Sequence, residues 1–226
     1  MVAIKASKNS NFHWKGPDLK NLPDFEDRHN LMISNGLMNN ISLPRLIFMT
    51  DKNQPEGPQT IVRSLPSGSA VILRHYGDPN RVEIARQLIA ETRGRHISVL
   101  IAGDARLALR VGAQGIHVPE EMARHCAWKW QNWVKPSWLV TAAAHSPKAL
   151  LRAKQLGAHA ALLSPVFTTS SHPNSRPLGV LRFASWCTSS PIAIYALGGV
   201  TKANARRLKG CNFHGIAGIS DFINNC

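Results

Sequence analysis

Short apolar runs recur along the chain, and most of them are separated by stretches with helical patterning. The runs cover residues 43–50, 70–73, 97–102, 115–118, 138–142, 160–163, 192–197 and 215–219. Apolar runs of this length, alternating with helical segments, are typical of βα units that form a parallel sheet. Eight such units predict an α/β fold of the (β/α)8 TIM-barrel class.

The segment before the first run has a different pattern. Residues 1–42 are rich in Asn, Asp, Lys and Pro and show no sustained hydrophobic period. This composition predicts a polar, disordered N-terminal extension, with the barrel domain formed by residues 43–226. Because Met32 and Met38 stand just before the first run, translation from either one would omit part of the extension.

Helical patterning is clearest after the second run, where Val82, Ala85, Leu88 and Ile89 share one helix face. The chain is basic, with a formal net charge of +14. Many of its cations fall in helical stretches, including Arg81, Arg86, Arg93, Arg106, Arg110, Lys148, Arg152, Lys154, Lys202, Arg206, Arg207 and Lys209. The pattern favours a solvated helix face; steering of anionic substrates is a second interpretation, and nucleic-acid binding is disfavoured because no basic-aromatic motif accompanies the charge.

Cysteine usage and hydropathy bear on the compartment. The four cysteines form no C-x-x-C pair, which predicts free thiols in a reducing, cytoplasmic environment. No apolar run approaches the roughly 18 residues that a membrane span requires, so we expect no membrane association.

The last third of the chain carries the clearest chemical signal. Three apolar runs there end in Gly, Ser or Thr directly before the next helical stretch: residues 164–171, 196–200 and 215–220. Strands that stop in small residues at a helix start leave backbone N–H groups available to an anion. Late in a barrel, such neighbouring ends predict a phosphate site, and hence a phosphorylated small molecule as ligand.

Polar side chains stand after the remaining runs. They are Asp51, Arg74, His75, Asp104, His117 and His145. Because barrel chemistry is placed at the C-terminal ends of the strands, this set is a candidate for acid/base catalysis and for holding one metal ion. His145 stands out because it closes the fifth run just before a predicted helix start at Ser146 and Pro147.

These residues resemble the thiamine-phosphate synthase/TenI family over positions 43–223. The similar segments are residues 49–51, 104–117, 145–146, 164–169, 197–200 and 215–220. The resemblance implies a TIM barrel whose synthases join a thiazole phosphate to an aminopyrimidine methyl diphosphate with the help of Mg²⁺. It also makes a homodimer a reasonable expectation.

The thiazole-phosphate half of the family pattern is retained. Thr169 and Ser171 stand where the family has two threonines. The resemblance places the backbone phosphate cradle at Gly198, Gly199, Ile219 and Ser220.

The diphosphate half departs from the family pattern. Of the second-strand motif Gln-x-Arg-x-Lys, Arg74 alone is kept, and Asp104 is the retained metal carboxylate. The changed positions are Ile72, Tyr76, Gly103, Met122, Ala143 and His172. Glu120 or Glu121 would replace the lost second carboxylate if the loop after Pro119 shifted its register. Diphosphate departure develops negative charge that cations must stabilise, so these changes argue against an efficient synthase.

The TenI branch departs from the synthases in a similar direction, and some members are thiazole tautomerases that need no metal. By this resemblance, His145 is the catalytic acid/base and Arg74 pairs with a substrate carboxylate. The alternative is a Mg²⁺-dependent synthase with Asp104 as a metal ligand. A further alternative is a non-catalytic barrel that binds thiazole or thiamine phosphates and regulates a partner.

Overall fold

The protein is described by a computed structural model that covers residues 41–125, 133–169 and 175–219. Within these ranges, parallel strands form a closed barrel in which each strand pairs with the next and β8 pairs with β1. The strands are β1 (Leu46–Met49), β2 (Ala70–Leu73), β3 (Ser98–Ala102), β4 (Gly115–Val118), β5 (Leu139–Ala144), β6 (Ala160–Leu163), β7 (Ala193–Ala196) and β8 (Gly215–Gly218). The predicted TIM-barrel class is confirmed.

Helices lie between the strands and cover the outside of the barrel. They are α1 (Pro58–Ser64), α2 (Arg81–Thr92), α3 (Ala105–Val111), α4 (Glu120–His125), α5 (Pro147–Gln155), α6 (Gly179–Ser189) and α7 (Lys202–Ala205), which continues into a 3-10 turn at Arg206–Leu208. Ser146 caps α5 as its sequence position suggested, with its hydroxyl accepting the N–H of Ala149. None of the helices in the described part of the chain has the length and apolar content needed to span a bilayer.

The strand bounds differ from the predicted ones in a few places. β1 begins at Leu46 rather than at position 43, because Pro44 has no N–H to donate to a ladder. β5 extends to Ala144, since Ala143 and Ala144 continue the pairing with Leu162 and Leu163 of β6. The predicted extension lies outside the described residues except for positions 41 and 42, where Ile41 packs against the interior of the barrel.

Two apolar layers result from the alternation of side chains along each strand. One layer fills the barrel interior with residues such as Ile72, Leu100 and Tyr195. The larger layer lies between the barrel and the helices and includes Phe183. Every second residue of a strand points into the barrel. At the C-terminal mouth these inward-pointing positions are Arg74, His117, His145 and Ser164.

Candidate functional site

His145 lies at the mouth of the barrel directly after β5. Its side chain is 54% exposed, and its Nδ1 is 2.9 Å from the carbonyl oxygen of Ser164 at the end of β6. A carbonyl oxygen can only accept, so Nδ1 carries the proton that it donates, and the neutral ring has its basic lone pair on Nε2. The strand end thus presents a solvent-accessible basic nitrogen of defined tautomer.

Glu120, the first residue of α4, supports His145 from below. Its Oε2 accepts the backbone N–H of His145 at 3.0 Å and lies 4.0 Å from the ring Nε2. Its Oε1 accepts from Arg124 and is 4.0 Å from Arg152. The side chain is only 8% exposed, so a buried, multiply paired carboxylate fixes the backbone from which the imidazole projects.

The loops after β6 and β7 are joined through their backbones. Val166 N–H donates to Leu197 O at 2.9 Å and Phe167 N–H to Gly198 O at 3.0 Å. Gly198 and Gly199 have φ of 90° and 64°. A Cβ on Gly199 would collide with the carbonyl oxygen of Thr168, and a Cβ on Gly198 would lie 2.9 Å from Pro165. Glycine is therefore required here both by φ and by the close approach of the two loops.

The N–H groups of Gly198 and Gly199 donate to no acceptor within the described ranges. The side-chain amide of Asn204 holds the carbonyl of Gly199 at 2.7 Å and so helps to fix this backbone. Free N–H groups on a fixed backbone are suited to bind an anion. This arrangement fits the phosphate cradle that the sequence predicted.

The other predicted cradle residues are described in part. Thr169 is the last described residue of the loop after β6, and Ile219 directly follows β8. The carbonyl of Ile219 accepts from the side-chain amide of Gln54, which ties the loop after β1 to the end of β8 at 2.8 Å. Ser171 and Ser220 lie outside the described residues.

Arg74 follows β2 and is held by the end of β1. Its Nη2 donates to Asp51 at 2.8 Å and its Nε to the carbonyl of Thr50 at 2.7 Å. Its Nη1 has no partner among the described residues. Arg74 is therefore anchored through one edge of its guanidinium, and Nη1 is the group available for a ligand oxygen.

His117 forms part of the floor below Arg74. It is buried, and its Nδ1 is 3.0 Å from the hydroxyl of Thr141. Burial, with a smaller contribution from the charge of Arg74, lowers the pKa of His117 to about 3. The imidazole is thus neutral near pH 7, and it acts as a hydrogen-bonding group of the floor rather than as a cation.

Asp104, the predicted metal ligand, is engaged by the protein itself. Its Oδ1 accepts the N–H of Leu107 at 2.8 Å and caps α3, and its Oδ2 is 3.9 Å from Nη1 of Arg81. The described ranges contain no group of three or more His, Cys, Asp or Glu side chains placed to hold a metal ion. Mg²⁺ is usually held by one or two carboxylates together with waters and substrate phosphates; because one oxygen of Asp104 caps α3 and the other faces a guanidinium, this donor set does not fit the ion.

Arg81 corrects one expectation from the sequence. Its position in the sequence predicts an exposed cation on a solvated helix face, but its side chain is only 13% exposed. It points between the ends of β2 and β3, where its Nη2 donates to the carbonyl of Ala102 at 2.5 Å. The sequence did not distinguish it from Arg86, which is exposed on the same helix.

The positions that depart from the family pattern lie in apolar or occupied surroundings. The Tyr76 ring packs 5.3 Å from the guanidinium of Arg81, Met122 packs against the outer apolar layer, and Ala143 is partly buried on β5. His172 lies outside the described residues. None of the contacts of Glu120 is with Asp104, because its carboxylate turns toward His145.

Several supporting residues were not found from the sequence as site residues: Thr50, Gln54, Arg81 and Ser164. Thr50 illustrates the reason. Its hydroxyl accepts the N–H of Arg74 at 3.1 Å and is hydrogen-bonded at 2.9 Å to Nδ1 of His75. Such contacts depend on the register between strands, which spacing along one chain does not reveal.

A closed parallel barrel with glycine-containing loops and polar side chains at the C-terminal ends of its strands is typical of TIM-barrel enzymes. The sequence profile of the TMP-TENI family, described as thiamine monophosphate synthase, matches residues 46–222. The chain belongs to this family.

Individual relatives agree with this assignment. A putative thiamine-phosphate synthase 2 from Aquifex aeolicus is 31% identical over 188 residues, which cover 81% of this chain and 100% of the relative. A thiamine-phosphate synthase from Pyrococcus furiosus is 27% identical over 180 residues, covering 78% and 85%. The structure of thiamine phosphate pyrophosphorylase from Pyrococcus furiosus superimposes with a TM-score of 0.62 at 25% identity, covering 79% of this chain and 86% of that one.

Proposed function

We propose that the protein binds a phosphorylated thiazole carboxylate and acts as a thiazole tautomerase with His145 as its acid/base. The observation that supports this most directly is the arrangement of the His145 ring. Its Nδ1 donates to the carbonyl of Ser164, and Nε2 of this half-exposed ring is left as a base at the barrel mouth.

Binding is divided between two parts of the mouth. The phosphate is held by the free N–H groups of Gly198 and Gly199, together with Thr169, Ser171, Ile219 and Ser220. The carboxylate pairs with Nη1 of Arg74, whose other donors are already fixed by Asp51 and Thr50. A ligand anchored at both ends presents its ring to the space between them.

The chemistry is a proton transfer within one substrate. Nε2 of His145 takes a proton from the non-aromatic ring, and the resulting imidazolium returns a proton at a second position of the same molecule. The ring becomes aromatic, and no atom is gained or lost. Acid/base catalysis of this kind contributes about 10²–10⁴-fold in rate.

The test compares wild-type protein with His145→Gln, which preserves polarity but removes the basic nitrogen. We expect the variant to bind the phosphorylated thiazole carboxylate with unchanged affinity and to lose about 10²–10⁴-fold in kcat. Full tautomerase activity in His145→Gln would contradict the assignment of this residue. Loss of binding and activity together would indicate a disturbed fold, which circular dichroism detects.

A Mg²⁺-dependent thiamine-phosphate synthase is the second candidate, favoured by the similarity to the thiamine-phosphate synthase of Pyrococcus furiosus and by the presence of Arg74 and Asp104. It is tested by supplying thiazole phosphate, aminopyrimidine methyl diphosphate and Mg²⁺, and by measuring thiamine phosphate. Robust Mg²⁺-dependent product would favour the synthase. Thiazole phosphate binding without turnover in either assay would favour a non-catalytic binder.

A further inference from the structure

The C-terminal ends of β2 and β3 form a corner beside Asp104, and the guanidinium of Arg81 occupies this corner. Arg81 begins α2, and its guanidinium reaches inward to the last carbonyls of both strands. Nη2 donates to Ala102 at 2.5 Å and lies 3.5 Å from the carbonyl oxygen of Leu73. Strand-end carbonyls are the kind of oxygen that a hard divalent cation would otherwise use.

Both oxygens of the Asp104 carboxylate face groups of the protein. Oδ1 of Asp104 accepts the N–H of Leu107, and Oδ2 faces Nη1 of Arg81 at 3.9 Å. A divalent ion brought to Asp104 would lie within a few ångströms of the guanidinium. Like charges so close repel strongly, particularly where the surroundings exclude water.

The neighbouring residues keep the guanidinium in place. The ring of Tyr76 covers it at 5.3 Å from the centroid, and this ring also lies close to the Cα of Gly103, where an added Cβ would be 3.4 Å from it. Within the described residues, Nε of Arg81 is the buried side-chain polar atom that has no hydrogen-bond partner. An unsatisfied donor of this kind is uncommon in folded proteins. Here it belongs to a guanidinium that is packed beside Asp104.

We propose that Arg81 is the resident cation of the Asp104 corner and excludes a divalent metal ion from it. In the family's synthases, by the resemblance described above, the corresponding aspartate is a metal ligand. In this chain Arg81 supplies the positive charge there, so ligand binding at the mouth does not depend on Mg²⁺. This inference concerns the corner alone: it does not require tautomerase activity, but it is incompatible with a synthase that binds Mg²⁺ through Asp104.

The test measures Mn²⁺ binding by the loss of the free-ion signal in electron paramagnetic resonance. Each protein is compared with its own Asp104→Asn variant. Mn²⁺ bound at other sites is the same in both proteins, so it cancels in the difference. We expect wild-type protein and Asp104→Asn to bind the same amount of Mn²⁺. A stoichiometric Mn²⁺ site that Asp104→Asn removes would overturn the proposal.

Charge reversal provides the positive arm of the experiment. Arg81→Glu places a second carboxylate beside Asp104 and frees the carbonyl of Ala102, so we expect a new Mn²⁺ site with a dissociation constant of about 10⁻⁴–10⁻³ M, the range of weak oxygen-ligand sites. Adding Asp104→Asn should abolish it. Arg86→Glu, an equal charge change at an exposed position of α2, should create no such site.

A milder variant keeps the test decisive if charge reversal impairs folding. Arg81→Gln removes the positive charge and offers an amide oxygen in its place, and circular dichroism checks its fold. We expect this variant to show Asp104-dependent Mn²⁺ binding that wild-type protein lacks. Folded Arg81 variants that bind no more Mn²⁺ than wild type would show that Arg81 does not exclude the ion.

Discussion

The catalytic role proposed for His145 depends on two neighbours that define its position. Ser164 selects the tautomer by accepting from Nδ1, and Glu120 holds the backbone N–H. Neither of these hydrogen bonds is made to the reacting Nε2, from which Oε2 of Glu120 is 4.0 Å away. Both therefore act by positioning, and their loss should affect turnover more than substrate binding.

Glu120→Ala tests this positioning. Removing the carboxylate leaves the N–H of His145 and the side chain of Arg124 without their acceptor, so we expect kcat to fall at least about tenfold while KM changes little. The free energy of unfolding should fall by roughly 1–3 kcal/mol. Steady-state kinetics and urea unfolding provide the two readouts.

Two comparisons separate positioning from general damage. Glu120→Asp keeps a carboxylate and should restore part of kcat, whereas Glu121→Ala, at the next position of α4, should leave kcat unchanged. Equal kcat in Glu120→Ala and wild type would show that the anchor is unnecessary.

The buried His117 predicts how stability depends on pH. Its pKa is about 3 in the folded protein and about 6.5 in an unfolded chain. The unfolded state therefore binds more protons between these values, so stability is full above about pH 6.5 and falls as pH decreases toward 3. From pH 7.5 to 5.0 this residue should account for a loss of about 2 kcal/mol.

His117→Gln checks this linkage, because glutamine can still hydrogen-bond to Thr141 but does not titrate. Urea unfolding at pH 7.5 and 5.0 should show a smaller loss in the variant by about 2 kcal/mol. An identical pH dependence in both proteins would mean that His117 is not kept neutral by burial.

At the scale of elements, the junction of the β6 and β7 loops is the most constrained part of the proposed phosphate cradle. Gly199→Ala introduces a Cβ that meets the carbonyl oxygen of Thr168. We expect the loops to separate and the dissociation constant for thiazole phosphate to rise at least about tenfold, because each lost backbone hydrogen bond to a charged group contributes about 1.5–3 kcal/mol. Isothermal titration calorimetry measures this change.

Gly210→Ala is a matched control. Gly210 also has a left-handed φ, of 86°, but an added Cβ would meet nothing within 4 Å. Gly210→Ala should lose about 1–2 kcal/mol of stability from backbone strain, and Gly199→Ala should lose more because of its clash with Thr168; only Gly199→Ala should lose affinity. Equal affinities of the two variants for thiazole phosphate would show that the phosphate does not bind at this junction.

The elements themselves were largely predictable from the sequence. Buried parallel strands read as short apolar runs, and β2, β4 and β6 begin and end where those runs do. The ends of β1 and β5 were less well predicted, because a proline shortened one strand and pairing with a neighbour lengthened the other. Hydrogen-bond pairing depends on two neighbouring strands, so the sequence of one apolar run does not show where its strand ends.

At the scale of the whole molecule, the barrel brings the proposed phosphate cradle and the proposed acid/base His145 to one mouth. The fold and the family followed from the sequence, because small residues at strand ends and the order of the motifs are local features. The role of Arg81 did not follow, since a helix arginine that faces solvent and one that enters the barrel have the same local pattern. The closed barrel places Arg81, rather than Arg86, beside Asp104.

The most direct measurement of the central claim is a proton NMR time course in EDTA with the non-aromatic tautomer of the phosphorylated thiazole carboxylate. Wild-type protein should convert it to the aromatic tautomer, and His145→Gln should be slower by about 10²–10⁴-fold. If wild-type protein does not accelerate the conversion, or if His145→Gln accelerates it equally, the account of His145 as the acid/base of a metal-independent tautomerase is wrong.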